Sequence, residues 1–439
     1  MKRLQRRIAL LPATAMVLST ILVPGMAFAE EADKAGVVVE ENAESNTGYT
    51  VSFTYHNEEA TNVQIMGGFQ FYVENDENLY GGGYNLAEGD SAANYMVAPE
   101  DWSKDADLWH AGDAGYIADM VESEDGTWTY TIDLPGGCYL YQYKVSYDDG
   151  ENYEAVIDPE NIPYCNEIGA HQTRSQFYVP YDAEKHSENE DWTWLTPAEK
   201  EEDRGTLLQE NYPGLDDTER PVEIYLPAHY DAEREEEYKV LYLSHGGGGE
   251  EGDWFYQGNA GNIVDRLVAE GNAEEFVMVA MNNSQLEWDY DKIYENMKDY
   301  LIPYIEENFN VSKEAEDRAF AGLSMGGMTT SELWYRDPGL FGYFGVFSGA
   351  STANFPEVDD YSAYAAPNMY VAAGWEDMAL QNSSYQTDSD RTTVGFGDKL
   401  TAAGIEYNGG EEIYIVQGGH DWFTWPQIIR HYVETTLWK

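Results

Sequence analysis

A pentapeptide of Gly-Leu-Ser-Met-Gly at residues 322–326 constrains the fold of this chain more than any other feature. It follows a short apolar run at 319–321, typical of a strand, and precedes residues 328–335, whose apolar spacing predicts a helix. A strand that turns into a helix through Gly-x-Ser-x-Gly is a nucleophile elbow, which exposes the serine hydroxyl. The helix dipole favours negative charge developing there. We therefore expect Ser324 to be a nucleophile.

A serine hydroxyl is inert at neutral pH unless a base accepts its proton. The best candidate base is His420, which lies in the glycine-rich loop 417–422, between a predicted strand and the predicted last helix, 425–438. Three other histidines of this half of the chain are weaker candidates: His229 in an early turn, His245 at the start of a glycine run, and His431 inside the last helix.

The base needs an acid that fixes its tautomer, and Asp377 is the first choice. It follows the predicted strand 369–372 and gives the chain order Ser, Asp, His of α/β-hydrolases. Asp421 adjoins His420 in sequence, which makes the side-chain geometry awkward, so we interpret it as a loop or helix-start residue. The fallback acids are Glu376 and then Asp388 and Asp390.

A glycine run at 246–249 follows the predicted strand 240–244. Glycines allow backbone amides to approach a ligand closely. One amide of this run, together with that of Met325, would form an oxyanion hole.

Apolar strands alternate with helical segments over residues 206–439. This pattern predicts a mostly parallel central sheet covered by helices on both faces, an α/β architecture. The preceding residues, 47–180, carry short alternating runs separated by Gly and Asp turns, which predict an all-β sandwich.

Five short motifs of the predicted sandwich occur in an order that resembles the early-set, immunoglobulin-like module found ahead of glycogen-branching and related enzymes. They lie at residues 66–69, 125–128, 134–137, 141–144 and 157–159. The resemblance implies contact with a glycan at most. An insertion at about 70–115 departs from the compact module.

The first residues, 1–29, have a basic start, an apolar run and an Ala-Phe-Ala ending, which predict a secretory signal peptide and a secreted protein. Residues 30–46 are acidic and predict a flexible leader, and the charged stretch 181–205 suits a linker. Cys138 and Cys165 could pair in an exported protein or remain buried thiols, and the sequence leaves both open.

The formal net charge of −57 disfavours nucleic acid and anionic membranes as partners. A neutral polymer or a neutral ester is compatible with it. Solubility outside the cell, or adaptation to salt, explains the acid excess. The sequence contains no complete calcium loop, and the proposed chemistry needs no metal or organic cofactor.

The C-terminal domain, 206–439, resembles the esterase-D-like group that contains bacterial feruloyl esterases and acetyl xylan esterases. Segments that carry the resemblance lie at 222–227, 240–246, 253–255, 301–306, 321–327 and 418–421. By this likeness Ser324, Asp377 and His420 match the triad, and Gly247 with Met325 match the oxyanion amides. The polar stretch 379–393, between Asp377 and His420, departs from the family pattern.

Export, the accessory domain and this resemblance together suggest esters of plant cell-wall xylan as substrates. Aromatic residues near the motifs could hold a feruloyl ring or a sugar, with Trp254, Trp375 and Trp422 as the candidates. A feruloyl esterase is the first expectation and an acetyl xylan esterase the second. A siderophore esterase and a non-catalytic glycan-binding protein remain alternatives, and the sequence does not indicate an oligomeric state.

Overall fold

The structure is a computed structural model. It describes residues 36–73, 96–106, 108–110, 116–123, 125–161, 174–375, 377–380 and 392–439. The signal peptide predicted at 1–29 and Cys165 lie outside the described residues, whereas Cys138 is buried. Within the described residues, no helix combines the length and the apolar character needed to cross a bilayer.

The N-terminal half consists of antiparallel strands. Their bounds are β1 Gly36–Glu41, β2 Tyr49–His56, β3 Asn62–Gly67, β4 Phe71–Val73, β5 Met96–Val97, β6 Leu108–His110, β7 Tyr116–Asp119, β8 Val121–Glu122, β9 Thr127–Asp133, β10 Gly137–Ser146, β11 Glu154–Val156 and β12 Ser175–Val179.

Two sheets of this half share one hydrophobic core. One has the order β1-β2-β9-β8, and the other has the order β11-β10-β3-β7 with β12 paired to β10. Burial alternates along β2, because successive side chains of a strand point to opposite faces. Val51 and Phe53 of β2 therefore pack against Tyr141 of β10 and Phe177 of β12. The resemblance to an early-set module remains a prediction.

Two segments differ from the expectations. Residues 36–41 of the expected flexible leader form β1, which pairs with β2, because the apolar residues after Gly36 extend the sheet. The expected linker, 181–205, is a series of short 3-10 turns that bury Trp192 and Leu195 against the rest of the protein. Most residues of this segment are polar or charged, so the sequence pattern does not indicate that Trp192 and Leu195 are buried.

The C-terminal half alternates strands and helices. The strands are β13 Thr206–Pro213, β14 Glu219–Leu226, β15 Val240–Ser244, β16 Val277–Met281, β17 Arg318–Leu323, β18 Tyr343–Phe347, β19 Asn368–Gly374 and β20 Tyr414–Val416. The helices are α1 Asp253–Tyr256, α2 Ala260–Ala269, α3 Tyr290–Asn296, α4 Ile302–Asn308, α5 Met325–Arg336, α6 Thr393–Ala403 and α7 Thr424–Thr435, with a π-helical turn, Met297–Leu301, joining α3 to α4.

One sheet of these strands has the order β13-β14-β16-β15-β17-β18-β19-β20. The strands from β16 to β20 in this order run parallel, and β13 and β14 are antiparallel additions at one edge. Hydrophobic clusters cover both faces, which explains why β15 and β17 are buried at every residue. The carboxyl ends of the parallel strands meet at one edge, and the loops there carry the candidate site.

The two halves of the chain are in direct contact. The Gln257 side chain accepts a hydrogen bond from the backbone amide of Arg174 at 3.2 Å and donates one to its carbonyl at 3.0 Å. Asn259 donates to the Gln176 side chain of β12 at 2.7 Å. The β-rich half thus packs against the segment around α1 and α2.

Candidate active site

Ser324 lies at the turn between β17 and α5, with backbone angles φ 54° and ψ −118°. The turn brings backbone segments so close together that side chains are excluded. A Cβ atom at Gly322 would lie 2.4 Å from the Gly326 carbonyl oxygen, and one at Gly326 would lie 2.5 Å from the His245 carbonyl oxygen. The spacing of the two glycines is therefore a steric requirement, and Ser324 between them is half-buried and lines a pocket.

Three predicted side chains form one hydrogen-bonded row. The Oγ atom of Ser324 lies 2.8 Å from Nε2 of His420, and Nδ1 of His420 lies 2.8 Å from Oδ1 of Asp377. An ionised carboxylate only accepts hydrogen bonds, so Nδ1 carries the proton and Nε2 is free to accept from the serine. This is the arrangement that a general base needs.

Asp377 is completely buried at the carboxyl end of β19. Its Oδ1 atom also accepts a hydrogen bond from the amide of Ala379 at 2.7 Å. The short turn that follows β19 therefore fixes the carboxylate in the orientation that meets the imidazole. The fallback acids Glu376, Asp388 and Asp390 lie outside the described residues.

The electrostatic surroundings of His420 determine its proton affinity. Burial lowers the pKa of His420, but the charge and the hydrogen bond of Asp377 raise it, and Asp421 adds to the rise. The net direction is above the ordinary value of 6.5. A raised pKa strengthens the imidazole as an acceptor of the serine proton.

The other residues considered for this row have separate roles. His245 is buried and bonds to the Gly246 carbonyl and the Asn283 amide, His229 pairs with Glu275 at the surface, and His431 bonds to Tyr370. Burial lowers the pKa of His245 to about 4, so its ring stays neutral and supports the glycine loop. Asp421 accepts hydrogen bonds from the amides of Phe423 and Thr424 at the start of α7, as expected for a helix-start residue.

The glycine run reaches the serine from the end of β15. A Cβ atom at Gly246 would lie 3.1 Å from Cβ of Ser324, and one at Gly247 would lie 2.7 Å from the sulfur of Met325. A side chain at Gly246 would therefore meet Leu323 and Ser324, whereas one at Gly247 would meet only the flexible side chain of Met325. Met325 is the first residue of α5, so its amide has no partner within the helix. The oxyanion role of the Gly247 and Met325 amides remains a prediction.

The pocket at the serine is lined by Gly246, Gly247, Gly249, Asp253, Leu323, Ser324, His420, Trp422 and Trp425. Among the predicted aromatic contacts, Trp422 is part of this lining and packs edge-on against Trp425. Trp375 is half-buried and is not part of it.

Trp254 is a correction to the sequence-based prediction. Its indole is completely buried and donates a hydrogen bond from Nε1 to the Ser244 carbonyl at 3.0 Å. It also packs edge-on against Phe347 and Trp422. Trp254 is therefore a core residue that supports the ligand-facing wall from behind, and it is not available to a ligand.

Asp253 is a pocket residue to which the sequence analysis gave no role. Its carboxylate accepts a hydrogen bond from the Glu250 amide at 3.1 Å and lies against the Gly249 backbone. Burial and the charges of Glu250 and Glu251 raise the pKa of Asp253 to about 7, although the amide bond lowers it. Its position in the sequence, shortly after the glycine run, could have identified Asp253 as a candidate pocket residue. In the described ranges, no group of three or more His, Cys, Asp or Glu side chains could hold a metal ion.

Comparison with solved structures defines the class of the fold. The chain aligns over 92% of its length with 96% of the enterobactin esterase of Shigella flexneri, solved in the presence of enterobactin, with a TM-score of 0.54 and 14% identity. At this identity the likeness shows the fold alone, which is of the α/β-hydrolase type.

Residues 215–430 match the family model described as "Putative esterase", and this region carries the row of three side chains. The chain is 29% identical over 293 residues to the endo-1,4-beta-xylanase/feruloyl esterase of Xylanibacter ruminicola, covering 64% of this chain and 38% of the relative. It is 25% identical over 258 residues to endo-1,4-beta-xylanase Y of Acetivibrio thermocellus, covering 53% and 23%. The resemblance to feruloyl-esterase-like carbohydrate esterases is thereby confirmed, although the chain spans well under half the length of these relatives.

Proposed function

We propose that the protein is a secreted serine carboxylic-ester hydrolase that removes feruloyl groups from plant cell-wall xylan. The proposal depends on the hydrogen-bonded row of three side chains. In this row Nε2 of His420 lies 2.8 Å from Oγ of Ser324, and Nδ1 lies 2.8 Å from Oδ1 of Asp377. The substrate class rests on the name of the Xylanibacter ruminicola relative, which combines xylanase and feruloyl esterase. Export rests on the signal-peptide pattern at 1–29.

The reaction is acyl transfer to water in two halves. Oγ of Ser324 attacks the ester carbonyl carbon while its proton passes to Nε2 of His420, and the oxyanion is held by the amides of Gly247 and Met325. The tetrahedral intermediate collapses, the bond to the sugar oxygen breaks, and that oxygen takes the proton from Nε2. Water then attacks the acyl-serine, gives its proton to Nε2, and releases the acid as the proton returns to Ser324.

Asp377 acts through the imidazole in both halves. Its buried carboxylate holds the Nδ1 proton and stabilises the imidazolium that forms when Nε2 is protonated. Trp422 is mostly buried but is part of the pocket lining, so its exposed edge is the candidate contact for an aromatic acyl group or a sugar.

A substrate panel on the purified chain tests the proposal. We expect release of ferulate from feruloylated arabinoxylan to exceed release of acetate from acetylated xylan. Acetate as the main product would make the protein an acetyl xylan esterase instead. A cyclic catecholate ester tests the siderophore alternative, which the net charge of −57 disfavours for an anionic ligand.

Ser324→Ala decides between an enzyme and a non-catalytic glycan-binding protein. We expect this variant to lose hydrolysis of p-nitrophenyl acetate and to keep any binding to xylan. Ser331→Ala is the matched control, because Ser331 is a buried serine of α5, the helix that follows Ser324, and its hydroxyl bonds to the Met328 carbonyl outside the pocket. Full activity of Ser324→Ala would contradict the assignment of the nucleophile.

A further inference from the structure

Phe423 connects the loop of His420 to the N-terminal half of the chain. It lies three residues after His420, and its ring is buried. The ring stacks on the imidazole of His110 at the end of β6, with ring centroids 4.1 Å apart and planes inclined by 13°. The indole of Trp192 also contacts it, with centroids 4.4 Å apart. Both contacts come from residues that precede the hydrolase-type domain.

The rings of Phe423 and His110 both pack against further buried side chains. Phe423 forms an apolar cluster with Cys138, Trp192 and Leu195, whose other members all precede residue 206. His110 packs in turn against Tyr139 of β10, with centroids 5.1 Å apart. Burial lowers the pKa of His110 to about 3, so the ring is neutral and can stack like an aromatic hydrocarbon. Phe423 is therefore buried between His110 of β6 and the turn segment that carries Trp192 and Leu195.

Phe423 is also tied to the loop that carries His420. Its amide donates to the Asp421 carboxylate at 3.0 Å, and its carbonyl accepts from the Gln427 side chain at 2.9 Å. Gln427 bonds at the same time to the Gln417 carbonyl at 3.0 Å, at the other end of the loop. Gly418 has φ 107°, and a Cβ atom there would lie 2.7 Å from the Phe423 ring. A shift of Phe423 is therefore transmitted to the whole loop.

We propose that Phe423 is a positioning residue through which the N-terminal half, by means of His110 and Trp192, holds His420 in line with Ser324. This inference rests on the proposed role of His420 as general base. The N-terminal half then contributes to turnover even without touching the substrate, and it is more than a sugar-binding accessory.

The size of the effect follows from the geometry of the row. Displacement of a reacting group by about 1 Å can lower a rate by about 10²-fold. We expect loss of the ring contacts between Phe423 and the N-terminal half to lower kcat by about 10- to 100-fold. KM should change less than kcat, because the glycine run that lines the pocket lies outside the loop 417–422, although Trp422 would move with that loop.

Full-length variants test the inference. His110→Ala removes the stacked ring, His110→Phe keeps a flat ring, and Phe423→Leu keeps apolar volume without a ring. His186→Ala is the matched control, since His186 is another buried histidine of the N-terminal half that bonds to the Thr47 carbonyl, and its ring packs against Tyr49, Trp102 and Tyr181. We expect low kcat for His110→Ala and Phe423→Leu, recovery in His110→Phe, and unchanged kcat in the folded control.

A spectroscopic readout separates positioning from general destabilisation. The Nδ1 proton of His420, shared with Asp377, should give a low-field proton resonance in chains labelled with ¹⁵N-histidine. In His110→Ala it should weaken or shift, and the acid limb of the pH–rate profile should move to lower pH as the Asp377 contact loosens.

The outcomes separate this inference from the proposed function. If the natural chain hydrolyses no ester, the proposed function fails, and the resonance alone decides whether the N-terminal half holds His420. Folded His110→Ala and Phe423→Leu chains with unchanged kcat and an unchanged resonance would overturn the positioning role. A His186→Ala chain that is folded but shows the same losses as His110→Ala would also overturn it.

Discussion

Replacing Asp377 with Asn tests the row of side chains most directly, because the change removes a charge and keeps the shape. Oδ1 of Asp377 accepts from both the His420 imidazole and the Ala379 amide. An amide NH₂ group in that position would face the Ala379 N–H, so we expect the amide oxygen to occupy it. The imidazole then keeps its tautomer, and Nε2 can still accept the proton of Ser324.

What Asp377→Asn loses is the charge that stabilises the imidazolium. Two unit charges about 4 Å apart attract by about 4 kcal/mol at an effective dielectric of about 20. The amide dipole retains part of this attraction, so the barrier should rise by about 3 to 4 kcal/mol. At about 1.4 kcal/mol per tenfold change in rate, kcat should fall by about 10²- to 10³-fold.

Steady-state hydrolysis of p-nitrophenyl acetate measures this loss. Asp265→Asn is the matched control, since Asp265 is a buried carboxylate of the same domain that accepts from Tyr225 and from the Gly205 amide, away from the pocket. A loss below about tenfold would refute Asp377 as the acid of the row. A loss of about 10⁴-fold, the size seen when the tautomer is wrong, would refute the expected orientation of the amide.

Three further predictions address pH, stability and substrate binding. Hydrolysis should fall as pH drops through the pKa of His420, with a midpoint above 6.5, and Asp377→Ala should move this acid limb to lower pH. Burial raises the pKa of Glu223 to about 8, so the folded protein holds the proton of this carboxyl group more tightly than the unfolded chain does. The free energy of unfolding should therefore fall as pH rises from about 4.5 to about 8. Glu223→Gln should therefore gain on the order of 2 kcal/mol in urea unfolding at pH 8 but not at pH 4, and equal gains at both would contradict this. Trp422→Ala should raise KM for feruloyl esters by about tenfold and leave KM for p-nitrophenyl acetate nearly unchanged, so an equal rise for both would count against an aromatic subsite.

The row of three side chains could be predicted because parallel strands impose it. Ser324, Asp377 and His420 each follow a strand, and the carboxyl ends of parallel strands meet at one edge of the sheet. Continuous apolar runs are enough to identify such strands, so distant sequence positions converge without further information.

Elements at the boundary of the sheet could not be predicted in the same way. β13 forms an edge strand with one neighbour, and its exposed, polar residues carry little apolar signal. Trp254 lies near the motifs in sequence, but sequence proximity does not specify which side of a loop an indole packs against.

Contacts between the two halves of the chain were also beyond sequence reasoning. Trp192 lies in a charged stretch, and its burial depends on the rings of Phe423 and Trp194, one of which lies more than 200 residues further along the chain. Packing between surfaces of two domains has no periodicity that a single sequence displays.

The backbone of Ser324 has a consequence for engineering. A non-glycine residue at φ 54° and ψ −118° costs about 1 to 3 kcal/mol, and glycine relieves this strain because it has no Cβ atom. A variant library ranked by melting temperature should therefore favour glycine at position 324, whereas one ranked by turnover should keep serine. Selection for melting temperature alone would therefore favour a more stable protein that has lost its nucleophile.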